Sequence, residues 1–298
     1  MALRANIFTA DYFLFIDRVA NLNHYQGFVR WQLGQARAGL LRGLEHFRKK
    51  GWDPNAYLSG HRLSIANIFH DGEYVTRAPV EGRVSKGDDV LLMSEEMERR
   101  FNSFILVSAF EDFEHYLKSV FGKLLNQLRG EVVLHQKRMF HRSLPKAKER
   151  EGTPDYFDEY ARWTCRRDCD EALAEFAKQL DCDRITFSPL YNMTFEESVR
   201  SIAFCRHCIV HAGGRVSEPR FKSLTNPEQA FVGLCIHNTL HGNDILILPP
   251  TAVIDSMFEG LVSYAWALYI LLADRCKMVD DTPYFRNPDT GERKVKPH

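Results

Sequence analysis

Between Ser94 and Leu128 the residues Met97, Phe101, Phe104, Ile105, Phe113, Leu117, Val120, Phe121, Leu124 and Leu125 recur at three- and four-residue spacings. That spacing predicts a helix of about nine turns with a buried stripe along its length. Ser94, followed by Glu95 and Glu96, reads as its N-cap and acidic first turn, where negative charge opposes the positive end of the helix dipole. Helical periodicity returns over 19–50, 162–181, 194–212 and 252–278, so the expected fold is mainly α. Short extended pieces interrupt it. Residues 57–90 suggest a small hairpin, and 231–238 and 245–250 read as short strands flanking a turn at 241–244.

A chain of 298 residues admits one domain or two. The pattern divides it into an N-terminal α(+β) extension of unknown role (1–90), a helical domain (91–279) and a flexible tail rich in Pro, Gly and charge (280–298). Lys+Arg and Asp+Glu are balanced at 39 each, which excludes a strongly basic coat for nucleic acid but leaves room for a local patch. The seven cysteines are odd in number and start only at Cys165, unlike a secreted disulfide framework, so reduced thiols and a cytoplasmic location are expected. Asp11 and Asp17 bracket the only early apolar patch, so a secretory signal is not expected. The longest uncharged apolar run, Gly260–Ala273, is 14 residues. A membrane span takes roughly 20, so the run reads as a core or subunit-interface helix and no membrane partner is expected.

Chemistry concentrates in Arg200–Gly214. Thr194 and Glu197 have capping-box spacing, and Gly213-Gly214 can take the left-handed conformation that stops a helix. Near its end lie Arg206, His207 and His211. At 100° per residue the two histidines fall within about 40° of each other, whereas Arg206 and His211 lie about 140° apart. Two such helices pressed together would gather both arginines and both histidines into one cleft. These residue types suit RNA cleavage without a metal. An imidazole titrating near 6.5 can move protons at neutral pH, and a guanidinium presents a planar fork to phosphate oxygens.

The run Arg206-His207-Cys208-Ile209-Val210-His211, with its Gly-Gly stop, resembles the signature of HEPN (higher eukaryotes and prokaryotes nucleotide-binding) domains. That signature is an arginine, four to six residues, then a histidine, often with a polar residue directly after the arginine; His207 fills that place. The resemblance implies an HEPN-like helical bundle of four or five helices, here with a short β-hairpin or extended insertion. It implies a homodimer formed through 194–212, with 252–278 as a second candidate surface. It also implies a metal-independent endoribonuclease that needs no cofactor and leaves 2′,3′-cyclic phosphate and 5′-hydroxyl ends. Arg206 would bind the scissile phosphate, His211 would be the general acid/base and His207 would shape the pocket. Many members are toxins or antiviral effectors, which makes RNA the expected substrate and an antitoxin or regulatory protein an expected partner. Other members have lost the motif and serve only in assembly, which is the alternative function. The likeness extends loosely over 95–278 and leaves residues 1–90 uncovered.

Three further features have two readings each. Lys137, Arg138, Arg142, Lys146, Lys148 and Arg150 face one acid, Glu149, over the same stretch. The segment is either a solvated surface loop or a contact for the RNA backbone. Glu111 lies two turns from Phe104 on the apolar stripe and would steer His211 or hold Arg206, or else be a rim acid near His115. Cys205, Cys208 and His211 could share a zinc ion with Cys165, Cys169 or His207. Zinc cysteines usually sit on knuckle turns, so buried free thiols are the simpler reading and no metal is expected. No Gly-rich phosphate loop, Ser–His–Asp order or HExxH motif is present.

Overall fold

The computed structural model describes residues 5–53, 59–61, 65–70, 73–77, 83–85, 87–129, 131, 133–167, 169–180, 193–238 and 245–278. The expected turn at 241–244 and the tail from 280 lie outside them. The described chain is mainly helical: α1 (Thr9–Lys49), α2 (Gly87–Gln127), α3 (Lys137–Ser143), α4 (Pro154–Arg167), α5 (Cys169–Gln179), α6 (Phe195–Ala212), α7 (Glu218–Lys222), α8 (Asn226–Cys235) and α9 (Thr251–Arg275). Strands β1 (Ser59–His61) and β4 (Arg83–Ser85) pair antiparallel around a hairpin of β2 (Ile65–His70) and β3 (Glu73–Arg77). A second hairpin joins β5 (Ile236–Asn238) to β6 (Ile245–Ile247), with His237 opposite Leu246.

Helix α2 is the axis of the bundle and packs against α1, α4, α6 and α9. Ile105, Ala109, Phe113, Leu117, Val120 and Leu124 are fully buried along it. It begins at Gly87, two turns before the expected cap. Ser94 is therefore an internal residue, and Glu95 and Glu96 instead make i,i+4 ion pairs with Arg99 and Arg100. Met97 and Phe104 are the exceptions to the predicted stripe: both are exposed, Phe104 by 60%.

Helix α1 starts ten residues before the expected boundary and lies antiparallel to α2, with Arg18 on Asp112, Gln26 on Asn102 and Arg30 beside Glu98. Phe8, Tyr12, Phe15 and Val19 belong to the common core. The first half of α1, part of the expected N-terminal extension, is built into the helical body, where its apolar residues complete the α2–α9 interface. Tyr12 contacts Trp266 and Tyr269, and Phe15 stacks on Tyr116.

Three local expectations are also revised. The polar stretch 137–150 is not a loop but α3 followed by a 3-10 turn, Pro145–Arg150, anchored by buried Phe140 and Ala147. The helix expected over 162–181 is two helices, the first opening at Pro154. Residues 231–235, expected as strand, finish α8, whose start carries a Thr225/Glu228 capping box and a proline in its first turn. Phe231, Val232 and Cys235 are buried there at helical spacing.

Helix α9 is long and apolar enough to cross a membrane by length and composition, yet half of its apolar window is buried within the chain. Its inner residues Leu261, Tyr264, Leu268 and Leu272 are core.

At the start of α6 the predicted capping box is formed. Thr194 Oγ1 accepts from the Glu197 amide at 3.2 Å, and the Glu197 carboxylate accepts from the Thr194 amide at 2.8 Å. Thr194→Ala is expected to lower stability by about 1 kcal/mol, measured by chemical denaturation; an unchanged midpoint would contradict this role for the cap.

Candidate functional site

Helix α6 is held on three sides. Its buried face, Phe195, Val199, Ile202 and Cys205, meets the core beside α2. Opposite, Arg200 Nε donates to the buried Glu228 carboxylate of α8 at 2.6 Å. Burial pushes that carboxyl up, but the Thr225 amide and Arg200 outweigh it and leave its pKa below the ordinary value. At the far end Gly213 and Gly214 have φ of 60° and 85°, conformations in which an L side chain is strained. The Gly214 amide turns back to the Cys208 carbonyl at 2.8 Å, and the Gly214 carbonyl accepts from Ile247 of β6 at 2.8 Å. The helix is thereby stopped against a strand just after His211.

The structure brings Arg206 and Glu111 together. Arg206 Nη2 donates to Glu111 Oε1 at 3.2 Å across the seam between α6 and α2. Of the two readings of Glu111, the one that holds Arg206 matches this contact, although Glu111 is 49% exposed rather than turned inward. The reason is that Phe104, the residue it aligns with, also faces outward. Arg206 Nε is buried and makes no hydrogen bond among the described residues. An exposed pair of this kind stabilises by no more than about 1 kcal/mol, so Glu111 orients the guanidinium without locking it.

His207 and His211 also meet, with ring centroids 4.9 Å apart and planes at 48°. His211 is exposed and His207 half-buried. Burial first, then Arg220, His211 and Arg206, hold the His207 pKa below the usual 6.5. No hydrogen bond links Arg206 to His211 among the described residues, as their angular separation on one helix requires.

Sequence reasoning missed the apolar surroundings of this pair. A cleft of about 400 Å³, lined by Phe104, Val107, Ile209, Val210, Gly214 and Leu246, runs between α2 and the end of α6. The Arg206–Glu111 contact lies one turn along each helix from Val210 and Val107. Phe104 and Val210 present exposed apolar surface there, Val210 by 45%. By contrast α9, the second candidate dimer surface, has no large apolar side chain among the exposed ones. Arg220 on α7 was also missed, because only the Gly-Gly turn brings it beside His207.

The basic segment stands apart from α6. It packs on α4, whereas α6 packs on α2, α5 and α8. Lys137 is paired with Glu151, while Arg138, Arg142, Lys146 and Lys148 are exposed and make no ion pair among the described residues. The zinc alternative is not assembled: no three His, Cys, Asp or Glu groups are gathered for a metal among the described residues. A hydrogen bond with Cys235 and burial raise the Cys205 thiol well above its ordinary pKa. Cys165 stands near Glu114 and Lys118, and burial pushes it up to about 12. Such thiols resist the deprotonation that metal binding requires.

In an NMR titration His207 is expected to protonate with a midpoint below 6.5, and Arg220→Gln is expected to move that midpoint upward. A midpoint insensitive to Arg220 would contradict the electrostatic part of this description.

Compared with known proteins, the chain matches no family model, no curated protein and no solved structure.

Proposed function

We propose that the chain is a metal-independent endoribonuclease of the HEPN type, acting as a homodimer through the α2–α6 face. The observation that carries this reading is Arg206 held by Glu111 one helical turn from an exposed apolar cleft, on the helix whose last turn bears His211. A second copy seated on Phe104 and Val210 would cover apolar surface and bring two arginines and two histidines around one phosphodiester. Burial of an apolar surface stabilises such contacts by about 25 cal/mol per Å².

In the reaction, one imidazole removes the proton of the ribose 2′-hydroxyl and O2′ attacks phosphorus. The P–O5′ bond breaks, and a second imidazole protonates O5′. The products are a 2′,3′-cyclic phosphate and a 5′-hydroxyl, with no net redox change. Proton transfer of this kind contributes roughly 10²–10⁴-fold. Arg206 stabilises the charge gathering on the phosphate oxygens; its weak pair with Glu111 yields readily to a dianionic transition state. His207, with its lowered pKa, stays neutral at physiological pH and adds no charge beside His211. The exposed cations Arg138, Arg142, Lys146 and Lys148, with Lys137, would hold flanking RNA away from the cleft. A role as a toxin or antiviral effector, acting in the cytoplasm under a regulatory partner, belongs to the same proposal.

A second reading, a non-catalytic assembly module, draws on the fact that Arg206 already has a carboxylate partner. Purified protein incubated with RNA in excess EDTA separates the two. Cleavage is expected, with Arg206→Ala and His211→Ala each reducing it by more than about 10²-fold while the dimer persists. No turnover, or turnover that requires a divalent ion, would contradict the nuclease reading.

A further inference from the structure

We propose that His207 and His211 form a two-imidazole chelate for a transition-metal ion of the zinc and copper class, and that such an ion switches off the chemistry assigned to His211. The inhibitory half rests on the function proposed above; the metal site is read from the two imidazoles alone. It differs from the cysteine-rich alternative because it calls on no thiol and leaves the other coordination positions to water.

The helix supplies the pairing. Residues four apart lie within about 40° of each other around an α-helix, the spacing at which helical metal sites present two imidazoles to one ion. Here the ring centroids stand 4.9 Å apart. An imidazole nitrogen binds zinc at about 2.0–2.1 Å, which puts each ring centroid about 3.2 Å from the ion. Two centroids 4.9 Å apart then subtend about 100° at the metal, between the square-planar and tetrahedral angles. The capping box and the left-handed Gly213 fix both ends of α6, so this spacing exists before any ion arrives.

The site is also free to be filled. Neither imidazole hydrogen-bonds to another described residue. His211 is exposed and His207 half-buried, so an ion and its waters can reach both. Ligand type selects the ion: imidazole suits zinc, copper and nickel, whereas magnesium and calcium take oxygen ligands. Arg206 and Arg220 stand near His207 and oppose a dication. Glu111 offsets the first of them, and water and salt screen charges at this exposed helix end. Two protein ligands in place of three or four make the site an exchangeable one. Binding replaces two waters on the ion with the lone pairs of two imidazole nitrogens, with no electron transfer. A His211 lone pair so engaged no longer accepts the proton of a ribose 2′-hydroxyl.

The test titrates the tag-free full-length chain with zinc chloride, read by calorimetry and by the imidazole resonances in NMR. The His207 and His211 rings are expected to shift together, with copper(II) binding more tightly than zinc and magnesium leaving both unmoved. His207→Ala and His211→Ala are each expected to weaken zinc binding at least about tenfold, since either change removes the chelate. Circular dichroism checks that each variant keeps its helix content. Unchanged affinity in either variant would overturn the site, as would a zinc shift of one ring without the other. Bound zinc is expected to slow RNA cutting at least about 10²-fold, and EDTA to restore it. Zinc held by both rings with no slowing would overturn the inhibitory half. Zinc binding by a wild-type chain that cuts no RNA even in EDTA would leave the metal site standing and remove the nuclease reading. RNA cutting in EDTA by a chain that binds no zinc would do the reverse.

Discussion

Three rings determine where the candidate site stands. Phe195, the first residue of α6, lies flat on Tyr264 of α9 with centroids 3.5 Å apart and planes at 4°. Phe113 of α2 meets both edge-on at about 6 Å. Edge-to-face pairs such as those Phe113 makes add roughly 0.5–1.5 kcal/mol beyond the area they bury. The cluster fastens the start of α6 between α2 and α9, and the Gly213-Gly214 stop fastens its end to β6. Arg206 lies three turns from the rings, so its approach to Glu111 follows from a length of regular helix between two fixed ends.

Much of what supports the site is remote from it. Arg200 and Glu228 tie α6 to α8, whose last residue leads directly into β5. The partner strand β6 then closes on Gly214. Removing one member of a buried ion pair costs more than the pair contributes, because the remaining charge loses its solvation without compensation. Glu228 is the deeply buried member, and its lowered pKa means that its contribution holds above the ordinary carboxylate range and fades as the pH falls through the folded value. The Arg206–Glu111 contact is the opposite case, exposed and weak. Permanence at the supports and exchangeability at the guanidinium suit a site that must release one anion to accept another.

The helical character of the chain was legible because periods of three and four persist for many turns in α2, α6 and α9. The cap and stop of α6 were legible because Thr194, Glu197 and Gly213 act locally. The same capping logic holds at Thr225 and Glu228, although the β-branched and apolar residues that follow favour a strand when read on their own. Phe104 and Ile105 show why the outward face was not visible. Adjacent residues on a helix diverge by 100°, and where neighbours cover only part of its circumference one of them turns outward, yet apolarity alone does not say which. On α1, Tyr25 and Phe28 share one face and are both exposed, which their apolarity does not reveal either. Contacts such as Arg206–Glu111 and Arg220 beside His207 join residues far apart in the chain, and no local rule encodes them. The spacing of His207 and His211, by contrast, placed those rings together from the helix period alone.

In the proposed reaction, phosphodiester cleavage proceeds through the neighbouring 2′-hydroxyl under the control of Arg206 and His211. Mass spectrometry of the RNA ends produced by pure protein tests it most directly. Fragments ending in 2′,3′-cyclic phosphate, each followed by a fragment beginning with 5′-hydroxyl, are the predicted result. Fragments carrying 5′-phosphate and 3′-hydroxyl would contradict it, because an attack by water in place of O2′ leaves no role for the chemistry assigned to this helix end.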